Sequence, residues 1–472
     1  MSGQDQYECR RSLDNENSSE KDVADLARGA LVNFVGKVGR SSRGAFIWLI
    51  TFFFGLDILG LYSLSWGWVS TANRVSCLGL GRGVIHFVVS SNTGKISHST
   101  HQVIATALGM SLTAGLIVAV FNFFIADTVS QLYDKPIAEA IKIMAWTSPF
   151  MSMTVVLIAA TQALRIMRFD VYVHSVGGPL ILLLGVTTTG ILGYNGMMSV
   201  SFVQFIMGPA MLALATIYFT RCYSFSGLLN LNWYCLPWKR VFRFSFPVMV
   251  TDLLYGLLTQ LDVLVMGFFV SLSDIGIYSL ARRIAGIMLK ASQAFDPIFS
   301  PVISQLSAQG RQKDLINRFV VISRWNLLIN LPIFFTLLIL SDQISLYMTG
   351  VEILNSDVAV WTSGLQVLIL LCIGTMLQGV FAIVEPLLAM SGKPKLNMFN
   401  NTIWLISNLI LDIWLVRYWG IVGVAIGSVL STILVNVIRS LEVYYYHGVS
   451  IFDRSQLKPL LSAFIAVFVA WV

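Results

Sequence analysis

The sequence predicts an all-α protein that crosses a membrane many times and is built as two lobes of six helices each. Four observations predict this fold class. The chain of 472 residues is 56% hydrophobic and only 12% charged, whereas soluble domains average about 25% charged residues. Apolar stretches long enough to cross a bilayer as helices, about 20 residues each, recur along the chain. Finally, the basic residues are concentrated in alternate loops, and one short motif occurs once in each half.

The order of the spans follows from the apolar stretches. Residues 1–30 are polar and lack the apolar core of a signal peptide, so we expect a cytoplasmic tail. The first lobe is predicted over 31–221, a cytoplasmic linker over 222–243 and the second lobe over 244–448. The predicted spans lie near 31–56, 61–90, 102–126, 139–162, 173–194, 197–220, 244–270, 275–304, 319–341, 358–390, 397–418 and 420–446. A thirteenth helix begins within 457–472 and is too short to span, so a sequence truncated at its C-terminus is expected.

Lysine and arginine counts in the loops predict the orientation. Twenty-two of these residues lie before the first span or in loops on the same side, whereas the opposite loops hold only Lys135, Lys142 and Arg417. Cytoplasmic loops are the ones enriched in basic residues. We therefore expect a multi-pass protein of the bacterial inner (cytoplasmic) membrane with a cytoplasmic N-terminus.

An internal repeat relates the second span to the eighth. The segments "DILGLYSL" (Asp57–Leu64) and "SDIGIYSL" (Ser273–Leu280) align without gaps at an offset of 216 residues. This offset pairs Gly60 with Gly276 and Tyr62 with Tyr278. Because six spans separate the copies, both halves have the same orientation, which predicts a pseudo-two-fold axis along the membrane normal.

With these motifs in order, the chain resembles the Wzx-type polysaccharide flippases of the multidrug/oligosaccharidyl-lipid/polysaccharide (MOP) exporter superfamily. The resemblance is carried by "FGLDILGLYSL", "CLGLGRGVIHFV", "IGIYSLARRI", "SPVISQLSAQGR" and the long segment that starts at "SGKPKLNMFNN". It implies a transporter architecture like that of the MATE exporters. The chain departs from its relatives at Thr51 and Phe52, where many of them carry an Ala-Arg pair.

The resemblance also implies an activity. Flippases of this type move an undecaprenyl-pyrophosphate-linked oligosaccharide from the cytoplasmic to the periplasmic leaflet during the synthesis of O-antigen, capsule or exopolysaccharide. The expected partners are this lipid-linked cargo, the bilayer, and a polysaccharide polymerase with its chain-length regulator. No cofactor, catalytic residue, metal site or nucleic-acid partner is expected, since the five cysteines are scattered and the basic residues lie in short loops.

Cations inside two spans are the candidate substrate-binding residues. Charges at bilayer depth are costly and usually face a water-filled path or a partner, and arginine binds phosphate oxygens with a fork of donors. If the second and eighth spans face each other, their cations form a basic cavity for the pyrophosphate. The main candidates are Arg74, Arg282, Arg283 and Lys290. Arg82 is a further candidate, but its position near the cytoplasmic end favours a place at the interface.

Intramembrane acids have two interpretations. Asp252, Asp262, Glu385 and Asp412 are the candidate charge partners of those cations, and the first three are also candidates for carrying a coupling proton or sodium ion. Two other functions remain open from the residues alone. One is a multidrug or other lipid exporter of the same superfamily, for which an acidic cavity would be expected. The other is a membrane enzyme of the same pathway, which would need a larger outer loop than the short one at about 342–357.

Overall fold

The computed structural model describes residues 19–91, 98–164, 166–223, 238–292, 312–344, 358–381, 384 and 394–447. Every regular element in these ranges is a helix. Eight helical segments among the described residues are long and apolar enough to cross a membrane. The predicted all-α membrane fold is therefore confirmed.

We number the helices in chain order. They are α1 Ser19–Ser76, α2 Leu80–Ser91, α3 His98–Tyr133, α4 Ala138–Ala145, α5 Thr147–Ala163, α6 Arg168–Ile191, α7 Gly196–Cys222, α8 Trp238–Phe269, α9 Leu272–Ser292, α10 Gln312–Ile339, α11 Val358–Val380 and α12 Pro394–His447. The stretch Val171–Gly177 within α6 is π-helical.

Two of the long helices are broken at glycines. The backbone of α1 leaves the helical region at Gly55 (φ 83, ψ 175), and that of α12 leaves it at Gly420 (φ 53, ψ −132). Glycine adopts positive φ without the steric cost that other residues meet. These breaks lie within a few residues of the predicted span boundaries near 56 and 419. Helix α12 therefore contains two predicted spans, and α1 contains the first predicted span and the beginning of the second.

The predicted second span, 61–90, is interrupted, which corrects the expectation of one continuous helix. Helix α1 ends at Ser76 and α2 begins at Leu80. Between them Leu78 and Gly79 have φ of 48° and 65°. A side chain at Gly79 would meet the backbone of α8, because a Cβ there would lie 2.5 Å from the carbonyl oxygen of Ser245. The apolar pattern continues through this turn, which is why hydropathy alone misses it.

The chain divides into two compact units. Unit 1 comprises Met1–Phe54 and Leu61–Leu257, and unit 2 comprises Gly55–Gly60 and Leu258–Val472. The division falls inside α8, and this helix begins at Trp238, within the predicted 222–243 linker. The lobe and linker bounds drawn from the sequence stay predictions.

Unit 1 packs around α5, which contacts α2, α3 and α7. Small residues allow this close packing: a Cβ on Gly115 of α3 would lie 2.5 Å from the Cα of Pro149 in α5. Tyr62, the first copy of the repeated tyrosine, is buried in this unit and donates its hydroxyl proton to Oε1 of Gln204 at 3.0 Å. The repeated tyrosine thus helps to join α1 and α7.

Unit 2 packs around α11, which contacts α9, α10 and α12. The short segment Gly55–Gly60 belongs to this unit and crosses the start of α9 at a very close approach. A Cβ on Gly60 would overlap the carbonyl oxygen of Leu272, and a Cβ on Gly276 would overlap the carbonyl oxygen of Leu56. The two glycines paired by the repeat therefore lie against each other, because only glycine lets the backbones come this close.

Candidate functional site

Asp262 is the centre of a buried polar cluster in unit 2. Only 4% of this residue is exposed. The hydroxyl of Tyr278 donates to its Oδ2 at 2.6 Å, and Nδ2 of Asn408 donates to its Oδ1 at 2.8 Å. Nη1 of Arg282 lies 3.8 Å from Oδ2, while Nη2 of the same side chain donates to the carbonyl oxygen of Thr259 at 2.6 Å. The carboxyl group is thus satisfied by two neutral donors and faced by one cation.

Asp412 brings a second carboxyl group into the same cluster. Nδ2 of Asn408 lies 3.3 Å from Oδ2 of Asp412, so this amide group reaches both acids. Oδ1 of Asn408 accepts a hydrogen bond from the hydroxyl of Ser431 at 2.8 Å. Asp412 is completely buried, and its Oδ1 has no hydrogen-bond partner among the described residues. That oxygen points at the backbone of Gly427, where a Cβ would lie 2.6 Å away.

The sequence positions these groups by helical spacing and by the break at Gly420. Asn408 and Asp412 are four residues apart in α12 and therefore lie on the same face. The break lets the second half of α12 pack against the first, which brings Ser431 to Asn408. A cluster of two carboxyls, an amide and two hydroxyls offers oxygen ligands to a proton or a small hard cation. We call Asp262, Tyr278, Asn408, Asp412 and Ser431 the acid cluster.

The cations of α9 are not equivalent. Arg282 lies beside the acid cluster, where its Nη1 faces Oδ2 of Asp262, and 35% of its side chain is exposed. Its neighbour Arg283 is exposed and Lys290 is half-buried. Arg283 and Lys290 are seven residues apart, so they lie on a common face of α9. Arg282 thus lies beside a buried acid, and Arg283 and Lys290 lie about 80–100° away from it around α9.

In unit 1 the candidate cations also differ in their surroundings. Arg74 is exposed and extends over α8, where its Cγ would lie 2.9 Å from a Cβ added to Gly256. It forms no ion pair with a described residue. Arg82 is paired with Asp252 through its Nη2, and the two side chains are 62% and 28% exposed. Asp252 therefore has a cationic partner within its own unit.

The structure brings together some of the predicted site residues and not others. It joins Arg282 to Asp262 and Arg82 to Asp252, whereas Glu385 lies outside the described residues. The substrate-binding and coupling roles of all these residues stay predictions. Among the described residues no group of three or more histidine, cysteine, aspartate or glutamate side chains is arranged to hold a metal ion.

Sequence reasoning missed the role of Asn408 and gave Asp412 only as a charge partner. A signal was present, since the spacing Asn408-x₃-Asp412 puts an amide and an acid on the same face of an apolar helix. The repeat also hides a difference that the structure reveals. Tyr62 donates to a neutral amide in unit 1, whereas Tyr278 donates to Asp262 in unit 2. Equivalent tyrosines thus support different chemistry in the two halves.

Solved transporter structures share this fold. The chain is similar to "Lipid II flippase MurJ, inward closed conformation", with a TM-score of 0.73 at 17% identity over 93% of this chain and 91% of that one. It is also similar to an inward-facing "multidrug resistance MATE family transporter of the MOP superfamily", again with a TM-score of 0.73, at 12% identity over 89% and 98% of the two chains. At such identities the likeness establishes the architecture, and it confirms the predicted MATE-like fold.

Two curated relatives come from the archaeon Haloferax volcanii. "Probable low-salt glycan biosynthesis flippase Agl15" is 29% identical over 193 residues, which are 41% of this chain and 39% of that protein. "Probable flippase AglR" is 28% identical over 183 residues, 38% of this chain and 36% of the relative. The matched part thus spans less than two fifths of the length of each curated relative.

A family match covers more of the chain. The family described as "Polysaccharide biosynthesis protein" matches residues 59–356. This range contains α2 to α10, the second copy of the repeated motif and most of the first, and it exceeds half of the 472 residues. The resemblance inferred from the sequence motifs is confirmed at the level of the family: the chain belongs to the polysaccharide biosynthesis protein family.

Proposed function

We propose that the protein is a flippase that moves a lipid-linked oligosaccharide across the membrane by alternating access. The cargo we propose is an undecaprenyl-pyrophosphate-linked repeat unit that passes from the cytoplasmic to the periplasmic leaflet. The product would serve O-antigen, capsule or exopolysaccharide synthesis, beside a polymerase and a chain-length regulator. The family match and the names of the two archaeal relatives support a glycan cargo.

The observation that carries this proposal is the state of the cations. Arg74 is exposed and forms no ion pair with a residue that the structure describes. An unpaired cation at membrane depth is expensive unless water or an anionic ligand reaches it. Hydrogen bonds from arginine to a phosphate are charge-assisted and about twice as strong as neutral ones. Such residues are suited to a pyrophosphate crossing a layer of low dielectric.

A cationic drug as the main cargo is less consistent with these surroundings. Two buried acids of unit 2, Asp262 and Asp412, are enclosed by hydrogen-bonding neighbours, and Asp252 is paired with Arg82. A drug cation would have to displace these contacts. We therefore assign the acids to coupling or charge pairing and the cations to the cargo.

The transport proposal is tested by substituting the cations. The variants Arg74→Gln and Lys290→Gln, singly and together, are reconstituted in proteoliposomes with a fluorescent polyprenyl-pyrophosphate disaccharide. Lys142→Gln is the matched control, since Lys142 also lies in a membrane helix but is bound to Asp127 at 2.7 Å. We expect the double variant to lose translocation while the control retains it. Equal rates in the double variant and the wild type would refute a role for these cations in cargo transfer.

We also propose that the acid cluster carries the coupling ion, either a proton or sodium. The buried Oδ1 of Asp412, which lacks a described partner, is the observation that favours this role. Leaving a buried polar atom unsatisfied costs about 1–3 kcal/mol, so a bound proton or cation would relieve that cost. Asn substitutions of Asp262 and Asp412 should abolish the response of transport to an imposed pH or sodium gradient. A variant pair that still responds to both gradients would exclude the cluster as the coupling site.

We also propose which membrane holds the protein and how the protein is oriented in it. The basic loops favour the cytoplasmic membrane with the N-terminus inside the cell. With this orientation the turn after α6, at Leu192–Asn195, faces outward, and the start of α8 at Trp238 faces the cytoplasm.

A further inference from the structure

The start of α8 and one residue of α2 line an open pocket in unit 1 that the proposed transport site does not use. Its volume is about 530 Å³, within the usual range of about 300–1,000 Å³ for small-ligand pockets. Three cations and two aromatic rings line it: Lys239, Arg240, Arg243, Phe87 and Phe244. We call these five residues the basic pocket.

The aromatic wall of the basic pocket is held by close packing between α2 and α8. A Cβ on Gly83 would lie 2.3 Å from Oγ of Ser245, so the two helices approach each other closely here. The rings of His86 and Phe244 are stacked, with centroids 4.4 Å apart, and Phe87 meets Phe244 edge-on at 5.3 Å. The pocket is therefore built by two helices in fixed contact, not by a mobile loop.

The three cations repel one another in the absence of a ligand. Lys239 and Arg243 are four residues apart and Arg240 and Arg243 three apart, so both pairs are neighbours on the surface of α8. None of the three forms an ion pair with a residue that the structure describes. Arg240 lies over the ring of Phe87 at 5.3 Å, which fixes its direction. An anion in the pocket would relieve the repulsion and receive several donors at once.

The length of α8 places this pocket near a membrane surface. The helix has 32 residues, about 48 Å at 1.5 Å per residue, whereas the hydrocarbon core is about 30 Å thick. The three cations lie within the first six residues of α8, and the apolar stretch begins after them. Trp238, 56% exposed at the start of the helix, suits the head-group layer, where tryptophan is enriched. The pocket therefore lies at the depth of lipid phosphates.

We propose that the basic pocket binds the phosphate head group of an anionic membrane lipid. Arg240, Arg243 and Lys239 donate to the phosphate oxygens, and Phe87 and Phe244 contact the apolar part of the lipid next to the head group. Basic pockets between membrane helices on the cytoplasmic side bind anionic head groups in this way. The inference does not depend on the proposed cargo, since it concerns a resident lipid and unit 1 alone.

Native mass spectrometry of the purified full chain tests this proposal. The protein is titrated with phosphatidylglycerol, with phosphatidylcholine and with glycerol 1-phosphate, which lacks the lipid chains. The test variant is Arg240→Gln/Arg243→Gln. The matched control is Arg168→Gln/Arg221→Gln, which removes the same charge from two exposed arginines that also lie over aromatic rings, each 5.3 Å from the ring centroid. Thermal unfolding of each variant verifies that it is folded.

We expect the wild type to prefer phosphatidylglycerol and the test variant to bind it roughly 10- to 30-fold more weakly, at about 1 kcal/mol per lost basic residue. The control should keep the wild-type affinity, and Arg240→Lys/Arg243→Lys should keep most of it because the charge is retained. Equal losses in the test and control variants would mean that general surface charge attracts the lipid, and the proposal would fail. It would also fail if glycerol 1-phosphate bound as tightly as phosphatidylglycerol.

Discussion

The close approach of Gly276 to the segment before Gly60 allows a quantitative prediction for Gly276→Ala. The added methyl would overlap the carbonyl oxygen of Leu56 and lie 3.1 Å from its carbonyl carbon and 3.3 Å from the amide nitrogen of Gly60. These are backbone atoms, so no side-chain rotation can relieve the overlap. Overpacking costs typically about 1–3 kcal/mol, and replacing a helical glycine by alanine returns about 0.5–1 kcal/mol.

The difference of these two ranges is a net loss centred near 1 kcal/mol, which lowers Tm by roughly 2–4 °C for the unfolding of a unit of the size of unit 2. Gly286→Ala is the matched control, because Gly286 lies in the same helix and a Cβ there meets nothing within 4 Å. This control should raise Tm by about 1–3 °C. Both variants and the wild type are compared by thermal unfolding in the same detergent. If Gly276→Ala proved as stable as Gly286→Ala, the packing argument would be wrong.

Three further predictions concern the polar groups and the topology. Tyr278→Phe removes a buried donor to Asp262, so it should cost about 1–3 kcal/mol of stability and change the ion dependence of transport in proteoliposomes. The hydroxyl of Tyr62 donates to a neutral amide. Tyr62→Phe should therefore lower stability and leave the ion dependence of transport unchanged. Arg82→Gln should cost at most about 1 kcal/mol in thermal unfolding, since the pair it breaks is exposed; a larger loss would contradict this. Tyr194→Cys, in an otherwise cysteine-free chain, should react with a membrane-impermeant maleimide from outside the cell, and labelling only after lysis would reverse the proposed orientation.

The fold could be predicted from the sequence because its signals are local. Apolar length identifies the helices, and the breaks near Gly55 and Gly420 follow from glycines between two apolar stretches. The interruption at Gly79 could not be found in this way. Its cause is the backbone of Ser245, more than 160 residues away, which approaches too closely for any side chain.

The candidate site could be predicted only in part. Arg282 and Asp262 stand out as charges in apolar helices, so composition identifies them. Asn408, which is 146 residues from Asp262, is an ordinary polar residue until α8 and α12 pack together. The unsatisfied oxygen of Asp412 likewise depends on how Gly427 closes over it. Partners of this kind arise from tertiary packing, which no local pattern encodes.

The contact between the two repeated segments has a consequence for the origin of the molecule. The repeat offset of 216 residues maps Leu56 onto Leu272 and Gly60 onto Gly276. If the two copies are exchanged, the overlap of Gly60 with Leu272 becomes the overlap of Gly276 with Leu56. The exchange therefore gives the same contact again. Such self-complementarity defines an isologous interface, the kind that two identical subunits form about a two-fold axis. In an unfused half-length ancestor, the same surface would form the interface of a homodimer. Gene fusion would have retained this interface while the acids and cations of the two halves diverged.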